Sequence, residues 1–196
     1  MIKTKSPIIL ASGSRARADM LENVGIDFQK IPADIDEDSI IKASQDRPEE
    51  LALKLAQEKA LRVSAQNPDA YVIGSDQILE QGGQLFQKAK TIEEAREKLK
   101  TLRGKTHQLI SSVAIAKDSK IIWHDTDTAS LTMHDFDDEM LEEYLKIAED
   151  DILSCVGAYA FETHGAWLFK EIDANYFTIL GMPLLPLLEF LREETL

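Results

Sequence analysis

Residues 8–17, Ile-Ile-Leu-Ala-Ser-Gly-Ser-Arg-Ala-Arg, combine an apolar strand, a corner of small residues and the first turn of a helix. The apolar residues that follow recur at helical spacing, and Gly25 provides a C-terminal stop. The helix therefore begins near Ser14 and carries Arg15 and Arg17 in its first turn. Because the dipole makes a helix N-terminus positive, arginines there make most sense beside a bound anion. The stretch predicts a strand, a corner and a helix, with a phosphate at the corner.

Composition and length limit the class of protein. The chain has 196 residues, which suffice for a single domain over residues 1–196 with two lobes around a cleft. The net charge of −13 argues against binding of long nucleic acid, but it allows a small phosphate ligand. The only cysteine is Cys155, and the N-terminal apolar run is too short for a signal or a membrane segment. We expect a cytoplasmic protein without membrane contact.

Strand and helix patterns interleave along the chain, which predicts an α/β fold with a mixed twisted sheet and flanking helices. Gly74 interrupts the most apolar strand pattern, and an acidic turn occupies residues 32–39. Predicted strands are residues 8–11, 26–31, 71–79, two runs about a hairpin turn at 117–120, and two strands within 158–172. Predicted helices begin near residues 14, 48, 92 and 135, and a last one follows an extended segment that ends at Pro183.

Two charged residues stand where apolar side chains are expected. Lys59 lies in the middle of the apolar arc of its helix, so its side chain points inward. The alternative is that its stem packs on that arc while the ammonium reaches water. Asp76 stands within an apolar strand, where aspartate is disfavoured. It either faces the crevice at the carboxyl edge of the sheet or caps a neighbouring loop.

The remaining charged candidates have ordinary alternatives. Lys88 precedes the helix cap Thr91 and resembles any exposed loop lysine. Arg15 can pair with Asp19 four residues later. An acidic group could ligate a divalent cation through hard oxygen donors, or could simply be solvated. It consists of Asp34, Asp36, Glu37 and Asp38.

In their order and spacing, the motifs of residues 8–188 resemble the Maf family of nucleotide pyrophosphatases, once named septum formation inhibitors. No single motif is specific, but the series is. The motifs are LASGSRAR, ML..VGI.F, DIDE, LA.EKA, IGSDQ, a lysine after the next turn, G.TH, VGAYAFE and GMPL.

The resemblance implies the mixed α/β fold of the inosine-triphosphate pyrophosphatases. It also implies hydrolysis of nucleoside triphosphates to a monophosphate and pyrophosphate with Mg²⁺ or Mn²⁺. Family roles fall on the matching positions as follows: Ser12 and Arg17 bind phosphate, Lys59 and Lys88 neutralise the triphosphate, Glu37 helps to hold metal, and Asp76 is the general base or a metal ligand. Ser14, in the same corner, is a further candidate for substrate binding. A homodimer is also implied.

The chain departs from the family pattern at two neighbouring positions: Arg15 stands where proline is common, and Ala16 stands where the family has an arginine. Whether Arg15 replaces that arginine is left open. A nucleotide-binding regulator of cell division with little turnover therefore remains an alternative.

Two positions bear on the nucleotide base. Many family members have threonine at the position of Gln77 and glutamine at the position of Glu162. Those members resemble the branch of the family that hydrolyses dTTP and UTP. The local sequences are more similar to the branch that cleaves 7-methyl-GTP. Glu162 could accept hydrogen bonds from a guanine edge. The interpretation favours a purine or modified guanine nucleotide, with a dTTP or UTP pyrophosphatase as the alternative.

Overall fold

The computed structural model describes residues 4–194, and the predicted mixed α/β fold is confirmed. Its strands are β1 (Ile8–Leu10), β2 (Gln29–Lys30), β3 (Tyr71–Gln81), β4 (Gln84–Phe86), β5 (Thr106–Lys117), β6 (Lys120–Met133) and β7 (Phe169–Asp173). Its helices are α1 (Arg15–Asn23), α2 (Glu37–Ala43), α3 (Pro48–Ser64), α4 (Ile92–Leu102), α5 (Asp138–Ala148), α6 (Tyr176–Ile179) and α7 (Leu184–Glu193). Two 3₁₀ helices occupy Glu149–Ser154 and His164–Leu168.

The strands form one mixed sheet. Their order is β2-β1-β3-β5-β6-β7, and β4 pairs with β3. β1 runs parallel to β2 and β3, whereas the pairs β3–β4 and β6–β7 are antiparallel. The predicted hairpin is present between β5 and β6, where Asp118 and Ser119 adopt the positive φ angles that a tight turn requires. Within residues 4–194, no helix is both long and apolar enough to cross a membrane.

The chain divides into two compact units. The first unit comprises residues 4–77, 110–127 and 181–194, and the second comprises residues 78–109 and 128–180. In the first unit, Ile9 and Val72 pack with Val63 of α3, so the helix covers the parallel strands. In the second unit, α4 and α5 contribute to a larger core. The single domain expected over residues 1–196 extends to residues 1–3 and 195–196, outside the described range, and stays a prediction.

Three predicted elements were wrong in detail. The acidic turn at residues 32–39 contains the start of α2, because Asp36 accepts a hydrogen bond from the Ser39 amide and caps the helix. Residues 158–172 contain one strand, β7, instead of two, since the preceding residues form turns and a 3₁₀ helix. The segment before Pro183 is not wholly extended, because it includes the short helix α6.

Gly74 does not interrupt β3; it allows α3 to pack directly on the strand. A Cβ atom at Gly74 would lie 2.1 Å from the carbonyl oxygen of Ala56 and 2.6 Å from the amide nitrogen of Ala60. Real Cβ atoms do not approach backbone atoms so closely. Because residues two apart on a strand face the same side, Asp76 points toward α3 as well.

We expect Gly74→Ala to destabilise the protein by roughly 2–3 kcal/mol, because the new methyl group must push the α3 backbone away from β3. Urea unfolding followed by circular dichroism measures the change. Gly13→Ala is the matched control, since nothing lies within 4 Å of a Cβ atom there. Equal stability of the Gly74→Ala variant and the wild type would contradict the close packing.

Candidate active site

The candidate site of the first unit lies at the carboxyl edge of its parallel strands. Leu10, the last residue of β1, pairs with Ile73 of β3. Beyond that pair the chain of β1 turns away through Ser12, while β3 continues through Asp76. Ligands of open α/β sheets bind outside this edge. The topology thus brings the corner of residues 12–14 and the strand aspartate to the same edge.

A buried ammonium group joins two carboxylates at this edge. The Nζ atom of Lys59 lies 2.6 Å from Oδ1 of Asp76 and 2.9 Å from Oε1 of Glu37. Lys59 and Asp76 are buried, whereas the Glu37 side chain is 46% exposed at the first residue of α2. We call these three residues the Lys59 cluster. The alternative in which the Lys59 ammonium reaches water is wrong, because the Lys59 side chain is only 9% exposed and its ammonium contacts the buried Asp76.

Asp76 has the electrostatic setting of a base. Burial raises the pKa of its carboxyl group and is the largest effect on it. The positive charges of Lys59 and Arg17 lower that pKa, and the negative charge of Glu37 raises it further. A carboxylate whose pKa is raised by burial accepts a proton more readily than an exposed one.

The corner between β1 and α1 is organised by hydroxyl groups and by Arg17. Ser14 caps α1, because its Oγ accepts a hydrogen bond from the Arg17 amide. The Oγ of Ser12 accepts hydrogen bonds from the Ser14 amide and from Nη1 of Arg17, both at 3.2 Å. The exposed Gly13 backbone lies between them. The corner therefore has fixed amide groups at a helix N-terminus, as an anion site requires.

The buried Arg17 guanidinium binds protein oxygens. Its Nε donates to the carbonyl oxygen of Gly181 at 2.9 Å, and its Nη1 donates to that of Ser75 at 2.8 Å. Burial lowers the pKa of Arg17, whereas Asp76 and Glu37 raise it. Since Ser75 directly precedes Asp76, these hydrogen bonds also fix the strand that carries the aspartate. The expected phosphate contact of Arg17 stays a prediction.

Arg15 and Arg17 differ sharply in environment. The Arg15 side chain is 89% exposed and lies 3.7 Å from Asp19, the pairing that the sequence suggests. A different cation lies at the corner: Nζ of Lys30, on β2, donates to the carbonyl oxygens of Gly13 and Ser14 at 3.0 and 3.4 Å. Sequence reasoning missed Lys30 because an exposed lysine in a short strand carries no signal of its own.

Gly181 lies beside both Arg17 and Gln77, since a Cβ atom there would lie 3.4 Å from Nη2 of Arg17 and 3.6 Å from Oε1 of Gln77. The Gln77 amide donates to Oγ of Ser111 at 3.0 Å. Gly181 has a φ angle of +102°, and its carbonyl oxygen also accepts a hydrogen bond from Oγ of Ser75. Sequence reasoning did not assign Gly181 to the site, although the motif Gly-Met-Pro-Leu marks its position. Its conformation favours glycine, so the motif has a structural reason.

Lys88 and Glu162 belong to the second unit. Lys88 is exposed in the segment between β4 and α4. Glu162 is exposed in a turn at residues 161–163. Their expected contacts with substrate stay predictions.

The oxygen donors for a metal ion are few. In the described part of the chain, no group of three or more His, Cys, Asp and Glu side chains is arranged to hold a metal. The carboxylates of Glu37 and Asp76 both contact the Lys59 ammonium. Mg²⁺ commonly binds through one or two carboxylates, with water and substrate phosphates as its other ligands. The pair fits such a site and would need the substrate to complete it.

Comparison with known proteins identifies the family. The model of the Maf-like protein family matches residues 7–194. A nucleoside triphosphate pyrophosphatase of Bradyrhizobium diazoefficiens is 47% identical over 193 residues, which cover 98% of this chain and 96% of that protein. A 7-methyl-GTP pyrophosphatase of Brucella abortus is 45% identical over 190 residues, covering 95% of this chain and 96% of that protein. The solved Staphylococcus aureus Ham1 protein aligns with a TM-score of 0.38 and 18% identity, over 66% of this chain and 72% of its own. With a family match over nearly its whole length and relatives of this identity, the chain belongs to the Maf-like protein family.

Proposed function

We propose that this chain is a nucleoside triphosphate pyrophosphatase, which hydrolyses the bond between the α and β phosphates. The observation that carries the proposal is the Lys59 cluster, in which a buried aspartate and lysine meet beside the N-terminus of α1. A relative that is 47% identical and bears the name of this activity supports it. Water attack on a polyphosphate needs a base for the water and positive charge around the phosphate oxygens.

The proposed division of roles follows from the contacts. The corner of residues 12–14, at the N-terminus of α1, binds phosphate oxygens. Asp76 accepts a proton from the attacking water as that water's oxygen bonds to phosphorus and the bond between the α and β phosphates breaks, which releases the monophosphate and pyrophosphate. Lys59 holds the Asp76 carboxylate in place through its 2.6 Å contact and offers its charge to the phosphate. Arg17 keeps the strand beside Asp76 fixed through the Ser75 carbonyl.

Charge balance indicates that further cations are needed. Arg17, Lys59, Glu37 and Asp76 together carry no net charge. A triphosphate brings several negative charges, which Lys88 and a divalent metal, Mg²⁺ or Mn²⁺, would offset. When bound, the metal withdraws charge from the phosphate oxygens. Glu37 and Asp76 would hold it.

The proposed substrate is a purine or modified guanine nucleotide such as 7-methyl-GTP. The relative from Brucella abortus carries the name of that activity, which supports the preference. Glu162 would accept hydrogen bonds from the guanine N–H groups. A dTTP or UTP pyrophosphatase remains the alternative substrate class, and a cell-division regulator with little turnover the alternative function. A homodimer and a cytoplasmic location also stay predictions.

The activity test measures pyrophosphate release with Mg²⁺ or Mn²⁺ from dTTP, UTP, CTP, ITP and 7-methyl-GTP. We expect turnover by the wild type and a loss on the order of 10²- to 10⁴-fold in Asp76→Asn, which removes the base. Because burial raises the pKa of Asp76, activity should fall as the pH decreases through that raised value. Asp69→Asn, at an exposed position before β3, is the matched control. If no nucleotide releases pyrophosphate, the proposed enzymatic activity is refuted. A fully active Asp76→Asn variant would refute the role of Asp76 as the general base.

A second prediction compares the contributions of Lys30 and Arg15, the two exposed cations near the corner, to substrate binding. We expect Lys30→Met to raise KM about fivefold, because its ammonium lies at the Gly13 and Ser14 carbonyls. Arg15→Met should change KM less than about twofold, since Arg15 is solvated and pairs with Asp19. Steady-state kinetics of the two variants decide the matter. A larger effect of Arg15→Met would show that Arg15 supplies the charge missing at Ala16.

A third prediction concerns recognition of the nucleotide base by Glu162. Glu162→Gln keeps the size of the side chain but replaces a carboxylate acceptor by an amide. We expect the ratio of kcat/KM for 7-methyl-GTP to that for UTP to fall about tenfold, while kcat on the best substrate changes little. Glu171→Gln, at an exposed position on β7, serves as the control. An unchanged substrate profile would contradict the assignment of Glu162.

A further inference from the structure

Helix α4 carries a second buried lysine that sequence reasoning did not single out. Lys98 lies on the buried face of α4 with Ala95, Leu99 and Leu102, and its side chain is only 9% exposed. Burying an ammonium group is costly unless it is well paired. Burial lowers the pKa of Lys98 to about 8, while Glu94 raises it. An apolar residue of similar length would suit this face better, so the lysine needs a separate reason.

The acceptors of Lys98 supply that reason. Its Nζ donates hydrogen bonds to the carbonyl oxygen of Gln87 and, at 2.8 Å, to that of Val156. Gln87 directly precedes Lys88 in the chain. Val156 begins a buried run that ends just before the turn with Glu162. One ammonium group thus joins the two segments of the second unit that carry the predicted substrate residues.

The segment after Val156 is closely packed. Ala158 adopts a φ angle of +57°, and a Cβ atom at Gly157 would lie 2.2 Å from the ring of Tyr159. The Tyr159 hydroxyl lies 2.7 Å from Nε2 of the buried His107. A shift at Val156 cannot be absorbed easily by such a strained and packed run. It would be passed on toward the turn at residues 161–163.

We propose that Lys98 is a positioning residue, whose ammonium holds the segment of Lys88 and the segment leading to Glu162 in their substrate-binding arrangement. This inference rests on the proposed function, because it assigns Lys98 a task in nucleotide binding. Lys98 acts through the backbone of Gln87 and Val156 and need not touch the nucleotide. Its loss should therefore weaken substrate binding more than it slows the chemical step, which belongs to Asp76.

The test compares Lys98→Met with Lys100→Met by steady-state pyrophosphate release. Lys100 lies on the same helix but pairs with Glu97, so its loss is the matched control. We expect Lys98→Met to raise KM about tenfold with kcat within about threefold of wild type, and Lys98→Arg to recover part of the loss. A merely structural role would lower the active fraction, and hence kcat, at unchanged KM; that result would overturn the proposal.

Hydrogen exchange provides a readout that does not depend on turnover. In Lys98→Met, amides of residues 88–90 and 157–162 should exchange faster, while those of Lys100→Met should match the wild type. Lys98→Gln, which keeps two N–H donors, replaces the methionine variant if that one does not fold. Unchanged protection in either segment would overturn the inference.

Failure of the proposed function gives a different result. If the wild type shows no turnover, the proposed pyrophosphatase activity is refuted. Calorimetry with 7-methyl-GTP and Mg²⁺ then measures nucleotide binding in place of kinetics. In that case a roughly tenfold weaker Kd in Lys98→Met supports the positioning role. Absence of nucleotide binding by the wild type would overturn both proposals.

Discussion

The ion pair of Lys59 and Asp76 depends on how closely α3 approaches β3. Lys59 immediately precedes Ala60, whose amide lies against Gly74, and Asp76 follows Gly74 by two residues on the same face of the strand. Helix and strand can therefore meet at backbone distance only where the strand has no side chain. That contact brings the lysine Nζ within 2.6 Å of the aspartate. A glycine that resembles a strand interruption in the sequence is what allows the charges to meet.

Such a pair is expensive for folding and useful for chemistry. Two buried charges lose their hydration, and their mutual attraction seldom repays the loss in full. The same sheet edge of the first unit contains another buried charge, because Arg17 is also buried and donates to main-chain oxygens. In a chain with a net charge of −13, Arg17 and Lys59 offset the charges of Asp76 and Glu37, so these four groups add no net negative charge at this edge. The arrangement is easier to explain as preorganisation for a polyanion than as a source of stability.

Much of the fold and part of the site could be predicted, for identifiable reasons. Helix periodicity placed Lys59 inward, because its helix is long and strongly patterned. The hairpin and the Thr91 cap followed from local turn and capping chemistry. The start of α2 was missed because acidic residues suit both a solvated turn and the first turn of a helix.

Other features depend on tertiary contacts that no local pattern reports. Lys30 and Lys98 each donate hydrogen bonds to carbonyl groups of residues that are distant in the sequence. Periodicity could have shown that Lys98 faces inward, by the same arithmetic that applies to Lys59. It could not have shown which carbonyl groups the ammonium meets. The run after Val156 resembled a strand because its residues are apolar, but the positive φ of Ala158 breaks the extended chain.

The two arginines at the start of α1 also have a physical explanation. A guanidinium is unfavourable at a helix N-terminus only if its charge stays near the free amide groups. Arg15 avoids this by extending into solvent toward Asp19. Arg17 avoids it by reaching the carbonyl oxygens of Ser75 and Gly181; burial lowers the pKa of Arg17, and the charges of Asp76 and Glu37 oppose that effect. The positive potential of the helix end therefore remains available to a ligand, and Lys30, from a neighbouring strand, adds a further cation at this corner.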